Sequence, residues 1–294
     1  MTGTWLSETL YPSVRVSYEA HRIAARDTPA GQRLEVVQNG LFGTMLVLDG
    51  AIQVTTGDEF AYHEMMAHVP IVAHGAARDV LIIGGGDCGL AEEVLKHEAV
   101  RAVVQVEIDG DVVAFAREHL AALNAAAFAD PRFRLEVGDG ARFAAETELT
   151  FDVVLVDSTD PTGPGAALFT PAFYADLRRR TRPGGIVVTQ SGVPFLQRES
   201  FVRGLSALRR AFPLVTAYVT VVPSYFGGHM ALGFATDDGK HLSVPAEVLA
   251  QRSAGLETRY YSAPVHKAAF ALPGFIGEAV REAVEAPVGP AGGL

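Results

Sequence analysis

The chain has 294 residues, of which 49% are apolar and one, Cys88, is a cysteine, so it is neither an intrinsically disordered chain nor one held together by disulfides or a thiolate zinc site. Its 24 basic and 34 acidic residues give a formal net charge of −10, which argues against a binder of nucleic acid and suits cationic ligands. No segment approaches the roughly 20 apolar residues of a membrane span, and no apolar block follows a basic start, so we expect a cytoplasmic protein that does not enter a membrane.

The N-terminal part is predicted to form a small antiparallel sheet followed by a helix. Its apolar runs are separated by turn-forming pairs such as Asp49-Gly50, which is a strong hairpin signal. These runs are residues 14–16, 34–37, 44–48 and 52–55. The next segment, residues 59–74, has apolar residues at helical spacing and is expected to end near Pro70 or Gly75.

After residue 77 the pattern changes to alternating strands and helices, which is typical of a parallel sheet with helices on both faces. The predicted strands are residues 80–83, 103–106, 133–137, 153–156 and 186–189, followed by 215–222 and 230–235. The predicted helices are residues 90–97, 111–123, 171–180 and 199–212. We therefore predict two domains, residues 1–75 and residues 76–294. Ligands of such a sheet bind at the carboxyl ends of its strands.

A glycine-rich turn follows the first strand of the parallel sheet. Gly84, Gly86 and Gly89 have the spacing G-x-G-x-x-G, and Glu107 ends the second strand, where an acid accepts hydrogen bonds from ribose hydroxyls. Glycines also suit any tight turn, so the prediction of a nucleoside site depends on the whole combination. Asp87 lies inside the turn, where it would repel a phosphate and attract a cation. This disfavours NAD and ATP and favours a positively charged nucleoside, although Asp also suits a helix N-cap.

Acidic residues also follow the third and fourth strands. Asp139 suits an adenine contact or a simple turn equally well. Asp157 and Asp160 follow a buried strand, where a carboxylate is costly to desolvate without a positive partner. The segment 157–165 has two prolines and two glycines, as a shaped lid would. Asp157 is therefore a candidate general base or amine ligand.

The helix after the small sheet contains an incomplete zinc motif. His63 and Glu64 are followed by His68, one position too late for H-E-x-x-H, so the two histidines do not share a helix face. We expect no metal site. Tyr62 and His63 remain candidates for polar groups at a pocket, and a structural role suits them equally.

In combination these motifs resemble the spermidine synthases, the polyamine aminopropyltransferases. The matching motifs are Leu48-Asp49-Gly50, Asp58-Glu59-Phe60, Tyr62-His63-Glu64, Gly84-Gly85-Gly86-Asp87, Val106-Glu107-Ile108-Asp109, Asp157-Ser158-Thr159-Asp160-Pro161 and Gly163-Pro164. The resemblance implies an α/β fold, with a small antiparallel β-domain before a Rossmann-like, class I methyltransferase-type domain. It also implies transfer of the aminopropyl group of decarboxylated S-adenosylmethionine, a co-substrate, to putrescine, which gives spermidine and methylthioadenosine without a further cofactor.

The resemblance also implies a role for each matching residue. It implies donor contacts by Gln32, Asp87, Glu107, Asp139, Gly140 and Pro164. It implies amine contacts by Tyr62, His63, Asp87, Asp157, Ser158, Thr159, Asp160 and Tyr225, with Asp157 as the proton acceptor. Cys88 departs from the glycine that many relatives have at this position; because Gly89 follows, we expect the turn to remain feasible.

Three other functions remain open. A small-molecule methyltransferase would share the nucleoside site but gives no reason for Asp87 together with Asp157 and Asp160. An NAD-dependent dehydrogenase would share the glycine spacing but not Asp87, and a polyamine sensor without catalysis would not need Asp157. Within the family, the acceptor could be cadaverine, agmatine or spermidine instead of putrescine. The resemblance further implies a homodimer or a homotetramer.

Overall fold

The structure is a computed structural model that describes residues 4–11, 13–29, 31–159 and 163–285. Its N-terminal part is an antiparallel sheet in the strand order β1-β2-β3-β4-β5. The strands are β1 (Thr4–Tyr11), β2 (Val14–Asp27), β3 (Arg33–Asn39), β4 (Gly43–Leu48) and β5 (Ala51–Thr55). The predicted turn between β4 and β5 is confirmed: Asp49 and Gly50 have φ values of 51° and 81°, and two positive φ values are what a tight hairpin of this type requires.

The second sheet has the strand order β11-β12-β10-β9-β6-β7-β8. Its strands are β6 (Asp79–Gly84), β7 (Ala102–Glu107), β8 (Phe133–Val137), β9 (Phe151–Asp157), β10 (Thr181–Gln190), β11 (Leu214–Val221) and β12 (His229–Thr236). Strands β6 to β10 are parallel, and β11 and β12 are antiparallel. The chain runs outward from β6 to β8 and then returns to β9 on the other side of β6. The β6–β9 pair is therefore the switch point of the sheet, and Gly84 pairs with Asp157 there.

Helices cover both faces of this sheet. They are α1 (Phe60–His74), α2 (Gly89–Leu95), α3 (Gly110–His119), α4 (Ala121–Ala129), α5 (Gly140–Glu146), α6 (Pro171–Arg180), α7 (Pro194–Ala211), α8 (Ala246–Arg252), α9 (Ala263–Ala269) and α10 (Gly274–Glu285), with 3-10 helices at Gly163–Phe169 and Gly239–Leu242. Successive strand residues point to opposite faces: Val80 and Ile82 pack in the core with α1 and α2, whereas Leu81 and Ile83 pack in the core with α6, α7 and α10. This architecture confirms the predicted fold class.

The small sheet packs against the large one through α3 and the residues that follow it. Leu34, Val36, Leu46 and Val54 of the sheet form one buried cluster with Phe115 of α3 and with Leu120 and Leu123. This contact places the loops of the small sheet opposite the carboxyl ends of the parallel strands.

Helix α1 is buried on all sides, from residue 61 to residue 73. It continues through Pro70 and ends at Gly75, which has a φ of 73° and donates its N–H to the Ile71 carbonyl oxygen. Of the two predicted ends, Gly75 is confirmed, because its left-handed conformation is the usual helix stop.

Two predicted helices differ from the structure. The helix predicted at residues 111–123 is broken at Leu120 (φ −121°), so that α3 and α4 are separate helices. The helix predicted at 199–212 begins earlier, at Pro194, and has a kink at Gln197.

None of the described helices is long and apolar enough to cross a membrane. The division into residues 1–75 and 76–294 stays a prediction.

Candidate active site

A cleft of about 520 Å³ opens at the carboxyl ends of the parallel strands, and the small sheet forms its opposite wall. The predicted site residues that line it are Gln32, Tyr62, His63, Gly84, Gly85, Gly86, Asp87, Glu107, Asp139, Gly140, Asp157, Ser158, Thr159 and Tyr225. Asp160 and the side chain of Pro164 lie outside what the structure describes. Two other residues of the 3-10 helix Gly163–Phe169, Gly165 and Leu168, line the cleft. The structure therefore brings the described candidates together in one place.

The glycine turn is tied to the end of β9. Gly84 and Gly85 have φ values of 86° and 68°, which favour glycine. A Cβ atom on Gly84 would overlap the carbonyl oxygen of Asp157, and the N–H of Gly85 donates to that same oxygen at 2.9 Å. Glycine is thus needed at both positions for the turn to lie against Asp157.

Cys88 itself takes the left-handed conformation, with a φ of 61°. For a residue with a Cβ atom this costs roughly 1–2 kcal/mol, which explains why glycine suits the position. Gly89, which follows, leaves room for an imidazole: a Cβ atom there would lie 2.6 Å from Cε1 of His63. The Cys88 side chain is buried, and burial raises the pKa of its thiol.

The partly exposed Asp87 and the buried His63 form a charged pair beside the turn. Asp87 lies one residue before the N-cap Cys88, and its Oδ1 accepts the Gly89 N–H at 2.7 Å, so the carboxylate binds the first N–H of α2 while it lines the cleft. His63 Nε2 lies 3.6 Å from the same oxygen, and His63 Nδ1 lies 2.8 Å from Glu59 Oε2. Burial opposes protonation of His63, but the carboxylates of Asp87 and Glu59 outweigh it and raise the pKa to about 10. At neutral pH His63 is therefore an imidazolium held between two acids.

Asp157 ends β9 on the face that α1 covers, because it follows Val153 and Leu155 in the alternation of the strand. Tyr62 of α1 donates its hydroxyl to Asp157 Oδ1 at 2.7 Å. Burial and the nearby Asp87 raise the pKa of Asp157 to about 6, against the lowering effects of His63 and of the Tyr62 hydrogen bond. A carboxylate with this pKa is still ionised at neutral pH and is a better proton acceptor than an exposed one.

Glu107 and Asp139 end the neighbouring strands. Glu107 is buried and accepts the Asp109 N–H at 2.9 Å, and burial raises its pKa to about 7. Asp139 Oδ1 accepts the N–H of Ala141 at 2.8 Å and caps α5. Asp139 therefore has the structural role of a turn and capping residue, and the same side chain also lines the cleft.

Tyr225 reaches the cleft on a loop that the small sheet holds in place. Its hydroxyl donates to the Gln53 carbonyl oxygen at 2.5 Å, and its ring packs edge-on against Tyr62. The neighbouring Ser224 donates its N–H to Asp58 Oδ2 at 2.6 Å. Asp58 belongs to a matching motif but had no predicted role; the structure assigns it to positioning this loop.

Two acidic or amide side chains of the site were missed in the sequence. Glu8 of β1 is buried, lines the cleft and accepts the Ile52 N–H at 2.9 Å, and burial raises its pKa. Gln105 of β7 is fully buried below the glycine turn and donates to two of its carbonyl oxygens. A polar residue inside a run of valines was a signal for Gln105, whereas Glu8 lies in a strand that was not predicted.

Acidic side chains dominate the charge of the cleft. Its described lining contains no lysine or arginine, and the acidic residues in it are Glu8, Asp49, Asp87, Glu107, Asp109, Asp139 and Asp157. Such a surface concentrates cations and repels phosphates and carboxylates.

The carboxyl ends of a Rossmann-like sheet are where nucleosides bind, and the acidic lining of this cleft favours cationic ligands, so the fold and the site are those of a nucleoside-dependent enzyme with cationic substrates. Comparison with known families agrees: residues 59–244 match the spermine/spermidine synthase domain, and residues 4–56 match the spermidine synthase tetramerisation domain. The chain belongs to the spermine/spermidine synthase family. The resemblance found in the motifs is thereby confirmed, and the N-terminal match indicates an oligomer.

Individual relatives agree over nearly the whole chain. A polyamine aminopropyltransferase of Ruegeria sp. (strain TM1040) is 48% identical over 274 residues, which cover 92% of this chain and 96% of the relative. One from Escherichia fergusonii is 43% identical over 275 residues, covering 93% and 96%. A spermidine synthase in complex with the transition-state analogue AdoDATO has a TM-score of 0.89 at 33% identity, and one from Thermotoga maritima has 0.86 at 31%; each comparison covers 94% of both chains.

Proposed function

We propose that this transferase moves the aminopropyl group of decarboxylated S-adenosylmethionine to putrescine, giving spermidine and methylthioadenosine. The observation that carries the proposal is the placement of Asp87 and Asp157 on two adjacent strand ends, in a cleft whose described lining has no basic side chain except histidine. Both proposed substrates are cations, and each would find a carboxylate at the switch point of the sheet.

The donor is proposed to bind along the ends of β6, β7 and β8. Glu107 would accept hydrogen bonds from the ribose hydroxyls, Asp139 and Gly140 would lie around the adenine, and Gln32 would close the site from the small sheet. Asp87 would bind the ammonium of the aminopropyl group. Ordinary S-adenosylmethionine has a carboxylate in this region, which Asp87 would repel.

The transfer is a single displacement. The nitrogen lone pair of putrescine forms a bond to the aminopropyl carbon, and the electron pair of the breaking C–S bond goes to sulfur, which leaves as a neutral thioether. An alkylamine has a pKa of about 10.4 and is protonated at neutral pH, so Asp157 would orient the ammonium and accept its proton. The Tyr62 hydroxyl holds the Asp157 carboxylate in place.

The acceptor is proposed to lie along the Tyr62 and Tyr225 rings, which pack together and line the cleft in which Asp157 lies. Glu8, on the wall of the small sheet, would bind the second ammonium of a diamine. Both ring nitrogens of His63 already face carboxylates, so we propose that His63 acts on the amine through its charge, which lowers the pKa of Asp157. Ser158 and Thr159 at the rim complete the amine side, as does Asp160 by resemblance.

An acceptor panel tests this function. The purified chain is incubated with decarboxylated S-adenosylmethionine and putrescine, cadaverine, agmatine or spermidine, and products are identified by mass. We expect the highest kcat/KM with putrescine. A higher kcat/KM with another amine would show that putrescine is not the preferred acceptor. Methyl transfer from S-adenosylmethionine or binding of NAD would overturn the proposed function as a whole.

The first mutational prediction concerns Glu107. Glu107→Gln is expected to weaken donor binding about tenfold or more, since hydrogen bonds to a charged group contribute about 1.5–3 kcal/mol, while kcat changes less. Because the pKa of Glu107 is raised to about 7, donor affinity of the parent should fall as the pH drops below that value, and this dependence should vanish in the variant. Calorimetric titration with the donor measures both effects.

Glu136→Gln, on β8 and away from the cleft lining, is the matched control and should bind the donor like the parent. Unchanged donor affinity in Glu107→Gln together with collapsed turnover would contradict the ribose contact.

The second prediction concerns His63. The imidazolium lowers the pKa of Asp157, so His63→Asn should raise that pKa and move the acid limb of kcat/KM to higher pH. As the pH falls toward the Asp157 pKa of about 6, this carboxylate becomes protonated and the parent should lose activity. Initial rates from about pH 5 to about pH 9 reveal the limb. His21→Asn, an exposed histidine of β2, is the control, and an unshifted limb in His63→Asn would exclude this electrostatic role.

We also propose that the chain forms a homodimer or a homotetramer in the cytoplasm. Exposed apolar side chains on the small sheet support assembly through that sheet: Trp5 is 65% exposed and Ile23 is 52% exposed. These residues lie on β1 and β2, inside the segment that matches the tetramerisation domain.

A further inference from the structure

Strand β7 carries a buried amide within a run of valines. Gln105 is fully buried between Val104 and Val106, which are themselves buried. A buried amide is unfavourable unless it is hydrogen-bonded. Gln105 does not line the cleft. Its role must therefore come from the groups to which it is hydrogen-bonded.

The amide of Gln105 binds two consecutive carbonyls of the glycine turn. Its Nε2 lies 2.8 Å from the Gly84 oxygen and 2.5 Å from the Gly85 oxygen. A side-chain NH₂ has two hydrogens, so each carbonyl takes one. This side chain therefore fixes the orientation of two adjacent peptide groups.

These two peptide groups connect the turn to the catalytic side of the sheet. The N–H of Gly85 donates to the Asp157 carbonyl oxygen at 2.9 Å. The turn is thereby bound to β7 on one side and to β9 on the other. Asp87 follows two residues later, so its position depends on both attachments.

The same contact supports the strained residue of the turn. The Gly85 oxygen that binds Gln105 also accepts the N–H of Cys88 at 2.8 Å, and Cys88 has a φ of 61°. Left-handed backbone is unfavourable for any residue with a Cβ atom. The Gln105 amide holds the carbonyl that closes the turn at this residue.

We propose that Gln105 is a positioning residue for the transfer reaction, which holds the glycine turn and Asp87 in the donor-binding conformation against the strain at Cys88. The identity of the donor rests on the proposed function. Gln105 does not touch the substrate; its effect on binding passes through the Gly84 and Gly85 carbonyls.

Gln105→Met tests the proposal, because it keeps the length of the side chain and removes both hydrogen-bond donors. We expect the KM and the Kd for decarboxylated S-adenosylmethionine to rise about tenfold, whereas the KM for putrescine changes much less. Adding Cys88→Gly should recover most of the lost donor affinity, because glycine needs no support in the left-handed conformation. A role in folding stability alone would produce neither the split between the two substrates nor the recovery.

Thr236→Val is the matched control. Thr236 is also fully buried in the large sheet, and its hydroxyl donates to the Gly185 carbonyl oxygen at 2.9 Å, at the end of the sheet away from the cleft. This variant should lower Tm and leave the donor KM unchanged. Gln105→Asn keeps the amide on a side chain one carbon shorter; it should give an intermediate donor KM, and it replaces Gln105→Met if that variant does not fold.

Hydrogen exchange separates this proposal from the proposed function, because it needs no substrate. In the free protein, Gln105→Met should speed exchange at the amides of Gly85 and Cys88, and Cys88→Gly in the same chain should slow it again. Parental donor KM and parental exchange in Gln105→Met would overturn the positioning role. A failed acceptor panel with the expected exchange result would overturn only the proposed function.

Discussion

Asp157→Asn is expected to lower kcat about 10²–10⁴-fold and to leave donor affinity near that of the parent. This corresponds to about 3–5 kcal/mol of barrier. Asn keeps an oxygen that can accept the Tyr62 hydroxyl, but it loses the charge that attracts an ammonium and the basicity that takes its proton. The measurement is kcat with putrescine, together with the Kd for the donor.

The pH dependence of this variant separates a general base from a structural residue. Raising the pH should recover part of the lost rate, because more putrescine then arrives already deprotonated. The variant should melt at or above the parental Tm, since removing a desolvated charge relieves an unfavourable burial. Asp27→Asn, at an exposed site of β2, is the control. Near-parental kcat at neutral pH, or no recovery at high pH, would exclude Asp157 as the base.

Asp87→Asn is expected to reduce the preference for decarboxylated over ordinary S-adenosylmethionine by about 10- to 100-fold. The carboxylate pairs with the donor ammonium and repels the extra carboxylate of ordinary S-adenosylmethionine, so both effects favour the same ligand. Asn keeps a side-chain oxygen that accepts hydrogen bonds, so the contact to the Gly89 N–H should survive. Competition binding of the two nucleosides gives the ratio, and an unchanged ratio would show that the charge of Asp87 does not select the donor.

The strands of the large sheet were predictable because they are buried on both faces. Residues 80–83 and 153–156 are continuous apolar runs. Such runs indicate a buried strand even when the partner strand is not known. The break between α3 and α4 was not predictable in the same way. Leu120 is buried and is neither glycine nor proline, and only the tertiary packing shows why the helix stops there.

Strand β1 was missed because its apolar residues are not buried. Trp5 is 65% exposed and Leu10 is 56% exposed. In a half-buried strand the apolar residues identify the face that packs against the core, but in β1 they do not. With the strand unassigned, Glu8 had no expected position. Its place in the cleft depends on the Ile52 N–H, which is 44 residues away in the chain.

The strand-end acids of the site were predictable because the topology of a parallel sheet brings its carboxyl ends together. The residues that hold them were not predictable from spacing. Asp58 reaches the Ser224 N–H across 166 residues, and Tyr62 reaches Asp157 across 95. Such pairs depend on how the small sheet and α1 pack, which one sequence does not report.

The complete burial of α1 limits how acceptor preference can diverge among relatives. Tyr62 and His63 lie on a helix whose neighbours enclose it on every side, so a change of size at either position would require compensating changes in several elements at once. At the mouth of the cleft, Thr159, Phe226 and Leu10 are exposed and tolerate replacement without disturbing the core. Relatives that use longer or branched amines as acceptors are therefore expected to differ from this chain first at the mouth of the cleft. The residues of α1, which faces the reacting nitrogen, are expected to stay the same.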